Sequence, residues 1–227
     1  MATRRQPAAQ PRVGIIAQPT RGSGPTMQLD PSTTAVLALH WQNDIVSPAG
    51  KFAPTFSAQA AETGVISQTA GLLQAARAAG ALVVYTRVCF RPGYPDLVAN
   101  GHLLAGCQAA GALLDGDWGA DILDELAPAA GDVTVSHRRI SGFWGSDLHT
   151  ILQARGVGTV LLAGVATNLT VLNTAFDAVN AGYHTAAVTD CCSAATQPAH
   201  EEAIATIAVI GDTTNTTAVA ATWLGAS

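Results

Sequence analysis

The chain has 227 residues, 48% hydrophobic and only 12% charged, with a net charge of −5. Ordinary domains carry about 25% charged residues, so much apolar area must be buried here. The lack of any Lys/Arg cluster beyond Arg4–Arg5 and Arg138–Arg139 argues against nucleic acid or an anionic membrane surface as a partner.

Taken in chain order, residues 1–30 are rich in Pro, Gln, Gly and Arg and read as an N-terminal arm, partly disordered, ahead of one domain over residues 31–227. The start has charges but no apolar core of signal-peptide length, and no apolar run approaches the roughly 18 residues of a membrane span. A cytoplasmic protein is expected, and the two N-x-T matches at Asn168 and Asn215 are then chance sequons.

"TAVLALH" (34–40) predicts a buried strand. "GVISQTAGLLQAARAAG" (64–80) has apolar residues at helical spacing and a glycine stop, and "ALVVYTRV" (81–88) predicts a second strand. Residues 89–131 read as a long irregular stretch, followed by a third strand at "DVTVSH" (132–137). A helix over 145–156 has Ser146 as its expected N-cap. "TVLLAGV" (159–165) is a fourth strand, residues 168–182 a helix, "HTAAVTD" (184–190) a fifth strand and residues 198–211 a further helix. "TNTTAVAATWL" closes the chain.

Near-continuous apolar strands alternating with helices mean an α/β fold with a parallel sheet covered on both faces. Ligands of such sheets sit beyond the carboxyl ends of the strands. His40 ends the first strand, His137 ends the third, and Val165–Thr170 follow the fourth. A buried apolar strand that stops on an ionisable side chain is a candidate site, and three segments converge on the same edge.

Common motifs fail. Gly156-x-Gly158 precedes a strand and is no dinucleotide fingerprint. There is no phosphate-binding G-x-x-x-x-G-K-[ST], no G-x-S-x-G elbow, and "HEEAI" at 200–204 lacks the second His of a zincin helix. The cysteines, Cys89, Cys107, Cys191 and Cys192, include no C-x-x-C pair and make neither a disulfide framework nor a zinc knuckle. Cys191 and Cys192 read as small core residues, and His149 and His200 as surface or cap residues.

Three separated stretches, in order, resemble the isochorismatase-like hydrolases, the superfamily of nicotinamidases, N-carbamoylsarcosine amidases and isochorismatases. They are "LALHWQND", "SHRRISGFWGSDL" and "LLAGVATNLTVLNTAFDAVNAGY". "VTDCCSA", "PAHEEAI" and "RVCFRPGYPD" add to the likeness, which covers roughly residues 30–220. The resemblance implies a three-layer α/β/α sandwich with a mostly parallel, Rossmann-like sheet, and a homodimer or homotetramer. It implies a cis peptide between Val165 and Ala166 in an oxyanion loop that includes Thr167. It also implies a catalytic Asp, Lys and Cys at the positions occupied here by His40, His137 and Thr170. The metal-binding D-x-H of the nicotinamidase type falls on Val88 and Phe90, so no metal and no cofactor are expected there.

Thr is a weak nucleophile that needs a positioned base, and imidazole, with an ordinary pKa near 6.5, is a suitable one. Thr170 as nucleophile, His40 as base and His137 as orienting group follow Ser/His logic on another scaffold. Trp41, Gln42, Arg87, Arg91, Tyr94 and Phe143 are candidate substrate-binding residues. The expected function is hydrolysis of a small amide, ureido or enol-ether metabolite. Two alternatives remain: a catalytically inactive small-molecule-binding or oligomeric pseudo-enzyme, and a metal-dependent hydrolase using both histidines with Asp44 as third ligand.

Overall fold

The computed structural model describes residues 29–224; the arm expected over residues 1–30 lies almost wholly outside them. Six strands form one all-parallel sheet in the order β3-β2-β1-β4-β5-β6. They are β1 (Thr34–Leu39), β2 (Leu82–Val88), β3 (Val133–His137), β4 (Thr159–Val165), β5 (His184–Ser193) and β6 (Asp212–Thr214). The helices are α1 (Asn43–Val46), α2 (Ala53–Thr63), α3 (Val65–Ala79), α4 (His102–Ala109), α5 (Leu148–Ala154), α6 (Leu172–Asn180), α7 (Gln197–Ile210) and α8 (Thr216–Leu224).

The central strands β1 and β4 are buried at every position because both faces are covered. Along β1, Val36 and Ala38 join one core, with Leu72, Leu73 and Ala76 of α3 and Val219 of α8. Ala35, Leu37 and Leu39 join the other, with Leu148 and Leu152 of α5, Ala175 of α6 and Ile207 of α7. The period of two along the strand thus divides the molecule into the three layers the sequence implies.

Strand order explains where a ligand can sit. From β1 the chain builds outward through β2 and β3, then returns to place β4 on the other side of β1. The carboxyl ends of β1 and β4 therefore flank the point where the winding reverses, and a crevice opens there.

The five expected strands are present, and β5 runs on through Cys191 and Cys192 to Ser193. All four cysteines are free and buried. Three features differ from the sequence reading. Residues 89–131 contain α4 and two short 3-10 turns. α2 buries only Ala60 fully, so it shows little apolar periodicity to read. β6 is three residues long and lacks the apolar run of its neighbours. The expected N-cap of α5 also shifts by one: Asp147 holds the cap position without a side-chain bond. Ser146 Oγ instead accepts the Leu148 N–H at 3.3 Å and donates to the Gly142 carbonyl at 2.6 Å.

Candidate active site

His40 leaves β1 with φ at +59°, in the left-handed region. Non-glycine residues rarely adopt it, and such strain clusters at functional sites. Its N–H is tied to the Thr86 carbonyl at 3.0 Å, and its side chain is turned towards the ends of β3 and β4. His137 is the last residue of β3 and fully buried. Thr170 sits in a π-helical turn, Thr167–Val171, between β4 and α6. The Val165–Ala166 peptide that opens this turn is cis.

The three side chains form one line of hydrogen bonds. His137 Nδ1 is 3.0 Å from the Arg139 carbonyl oxygen. His40 Nε2 and His137 Nε2 are 2.9 Å apart, and Thr170 Oγ1 is 3.0 Å from His40 Nδ1. A carbonyl only accepts, so His137 Nδ1 carries hydrogen and, in the neutral ring, its Nε2 is an acceptor. His40 must then donate from Nε2, which leaves His40 Nδ1 to accept the hydroxyl proton of Thr170. One carbonyl thus sets both tautomers and the direction of the threonine hydroxyl.

Burial keeps the two rings neutral. Removal from water, with the neighbouring His137 as a smaller cause, holds His40 well below the ordinary histidine range. Desolvation pulls His137 down to about 4, although its bond to the Arg139 carbonyl opposes this. No thiol competes as a nucleophile in the adjoining space. Cys107 lines it, but burial pushes its pKa up to about 11, so the thiolate is scarce at neutral pH.

His40 and Thr170 lie at the wall of a small pocket of about 70 Å³ that opens to solvent. Phe52, Phe56, Leu104, Leu113 and Val165 supply apolar walls. Arg139 is the charged residue of the lining, with its guanidinium donating to the Val98 carbonyl at 3.3 Å and to Asn100 Oδ1 at 3.1 Å.

The six residues expected to bind substrate lie outside this lining. Trp41 is fully buried in the core, and its indole N–H donates to the Ala163 carbonyl at 3.3 Å. Gln42 is also fully buried. Its amide donates to the Val88 and Ala120 carbonyls, each at 2.9 Å, and accepts the Val88 N–H at 2.9 Å. Arg87 turns away to Ser136 and Asp115. Arg91 is exposed. The Tyr94 hydroxyl donates to the Ala112 carbonyl at 2.8 Å. Phe143 packs on the other side of the sheet, stacked on Tyr183. Apart from exposed Arg91, each has a polar or aromatic end that finds a partner in the fold.

Within the oxyanion loop, Val165 and Ala166 do line the cavity. Thr167 does not; its hydroxyl meets His200 Nδ1 at 2.9 Å. His200, expected as a surface or cap residue, is half-buried and bonds to this loop from α7. Arg139 was also passed over, although it stands two residues after His137 in the same motif, and so were Phe52 and Phe56, four residues apart. Asp44, the candidate third metal ligand, instead accepts the Leu113 N–H at 2.8 Å and the Lys51 N–H at 3.3 Å. Among the described residues no three His, Cys, Asp or Glu side chains are grouped to hold a metal, and no helix is long and apolar enough to cross a membrane.

Comparison with known proteins agrees with this frame. A cysteine hydrolase from Pseudomonas syringae pv. phaseolicola superposes with a TM-score of 0.80 at 28% identity, covering 91% of this chain and all of that one. The ureidoacrylate amidohydrolase of Caulobacter vibrioides (strain NA1000 / CB15N) is 31% identical over 176 residues, 72% of this chain and 73% of that protein. The maleamate amidohydrolase of Pseudomonas putida is 33% identical over 136 residues, 60% and 63% of the two chains. Residues 34–219 match the isochorismatase domain, and the chain belongs to the isochorismatase-domain family.

Proposed function

We propose that this protein hydrolyses small carboxamides with Thr170 as nucleophile, His40 as general base and His137 as the group that orients His40. The single observation carrying this reading is the directed line from the Thr170 hydroxyl through both imidazoles to the Arg139 carbonyl. The amidohydrolase activity named for the relatives supports the reaction class. The resemblance aligns His40, His137 and Thr170 with the family's Asp, Lys and Cys, so the chemistry differs from the usual thiolate attack.

In the proposed reaction Thr170 Oγ1 bonds to the amide carbon while its proton passes to His40 Nδ1. His40 becomes imidazolium, and its Nε2–H goes on donating to the neutral Nε2 of His137. Collapse of the tetrahedral species breaks the C–N bond as His40 Nδ1 returns the proton to the departing nitrogen. The product is an acyl ester on Thr170. Water repeats the sequence and releases the acid. The buried setting that keeps His40 neutral also makes it a weak base towards the Thr170 hydroxyl. The resulting imidazolium is correspondingly a strong acid towards the leaving amine.

The test is product formation from a panel of small amides by wild type and Thr170→Ala. Turnover by wild type and its loss in the variant is expected; equal turnover by both would sink Thr170 as nucleophile. A second reading, a binding protein without chemistry, draws on the commitment of the Thr170 hydroxyl to His40 and of His40 to His137. It predicts ligand-induced thermal stabilisation with no product.

A further inference from the structure

The cavity's lining suits an apolar substrate. Its walls come from Ile45 after β1, Phe52 and Phe56 at the start of α2, Leu104 of α4 and Val165 of β4. Two partly exposed leucines, Leu103 (43% exposed) and Leu169 (37%), continue this apolar surface towards solvent. The polar side chains of the lining are few. His40 and Thr170 are bonded to each other at 3.0 Å, Cys107 is a neutral thiol, and Arg139 is held by Val98 and Asn100.

A ligand rich in N–H groups would lose its water here and find few acceptors among these side chains, and a carboxylate would meet one cation, Arg139, two of whose N–H groups already serve Val98 and Asn100. Each unsatisfied polar group costs about 1–3 kcal/mol. A hydrocarbon chain gains on transfer, at about 0.8 kcal/mol for each buried CH₂.

From this we infer that the substrate is an uncharged amide of an aliphatic carboxylic acid, with its hydrocarbon chain against Ile45, Phe52, Phe56 and Leu104 and its carbonyl carbon at Thr170. The inference rests on the hydrolase reading for the placement of the carbonyl. It departs from it in substrate class, because maleamate and ureidoacrylate, named for the relatives, are both carboxylates.

Binding tests the class separately from chemistry. Hexanamide and maleamate are titrated calorimetrically into full-length Thr170→Ala, which lacks the attacking hydroxyl. Hexanamide is expected to bind at least about tenfold more tightly, and Phe56→Ser, combined with Thr170→Ala, to weaken hexanamide about tenfold while leaving maleamate little changed. Phe52→Ser, also in the Thr170→Ala background, is the second probe should Phe56→Ser melt early. Tighter maleamate binding, equal binding, no saturable hexanamide binding, or hexanamide affinity untouched by both serine variants would each overturn the inference. Wild-type product formation is scored independently, so failure of catalysis is distinguishable from failure of the substrate class.

Discussion

His40 and His137 face each other through their Nε2 atoms at 2.9 Å, and only one of those atoms carries hydrogen when both rings are neutral. The Arg139 carbonyl selects which. The two imidazoles stay neutral in a site too dry to hold a charge cheaply.

Replacing His137 separates orientation from packing. In His137→Gln an amide oxygen can still accept from His40 Nε2–H, so the tautomer survives but proton sharing does not. In His137→Phe the buried His40 N–H loses its partner, at a cost of about 1–3 kcal/mol in stability. The expected order of kcat/KM is wild type, then Gln, then Phe, with Phe lower than wild type by about 10²–10⁴. Steady-state kinetics and urea unfolding of the three proteins check both halves. Equal activity in all three would remove His137 from the mechanism.

Acid should weaken the fold in a window set by these rings. An unfolded histidine takes a proton near pH 6.5, but folded His40 lies well below that and His137 at about 4. Below pH 6.5 the unfolded chain therefore binds more protons than the folded one. Stability is full above that pH and falls by up to about 1.4 kcal/mol per pH unit for each ring as pH drops towards 4. Half-buried His200, also lowered by desolvation, adds a smaller share. Asp30 and Asp96 are lowered below 3.8 and act at more acid pH. Urea unfolding between pH 7.5 and 4.5 measures the slope, and His137→Gln should reduce it by about one proton.

The left-handed backbone at His40 makes a sharper stability test. His40→Ala and His40→Gly both delete the imidazole and strand Thr170 equally. They differ in the φ of +59°, which costs a residue with a Cβ about 1–2 kcal/mol. The extra unfolded-state freedom of glycine, about 0.4–1 kcal/mol, opposes this gain. Gly should therefore be the more stable variant by about 0.5–1 kcal/mol, with both inactive. Thermal melts decide it; Ala equal to or above Gly would mean the strain is relieved when the imidazole is lost.

These tests also show what the sequence could and could not reveal. The sheet was legible because each buried strand writes its apolar run in consecutive residues, as in "TAVLAL" and "TVLLAGV". The convergence of His40, His137 and Thr170 followed from strand ends and the resemblance. The hydrogen-bond direction was not legible, because it depends on a backbone carbonyl, that of Arg139, whose position no side-chain pattern encodes. The partners of Gln42 are hidden in the sequence for a related reason. Its polar type beside His40 suggests substrate contact, whereas its three bonds go to the backbones of Val88 and Ala120. Phe52 and Phe56 were missed because α2 covers the crevice more than the core and carries a weak buried stripe.

Gln42 yields the last prediction, which turns on donor and acceptor roles. Its amide group donates to two carbonyls and accepts one N–H, all at 2.9 Å and with no exposure. Gln42→Glu keeps the shape but removes both donations. An ionised carboxylate would point an oxygen at the Val88 and Ala120 carbonyls in a dry site; the protonated acid can restore only one donation. The variant should lose about 2–5 kcal/mol at neutral pH. Relative to wild type, part of that loss should be recovered as pH falls and the carboxyl protonates, against the background slope from the histidines. Gln42→Leu strands the same backbone groups without a charge, so its deficit should lack this carboxyl-linked recovery. Paired urea titrations at pH 7.5 and 5.5 separate the two, and parallel deficits for Glu and Leu at both pH values would show that size alone sets the tolerance at position 42.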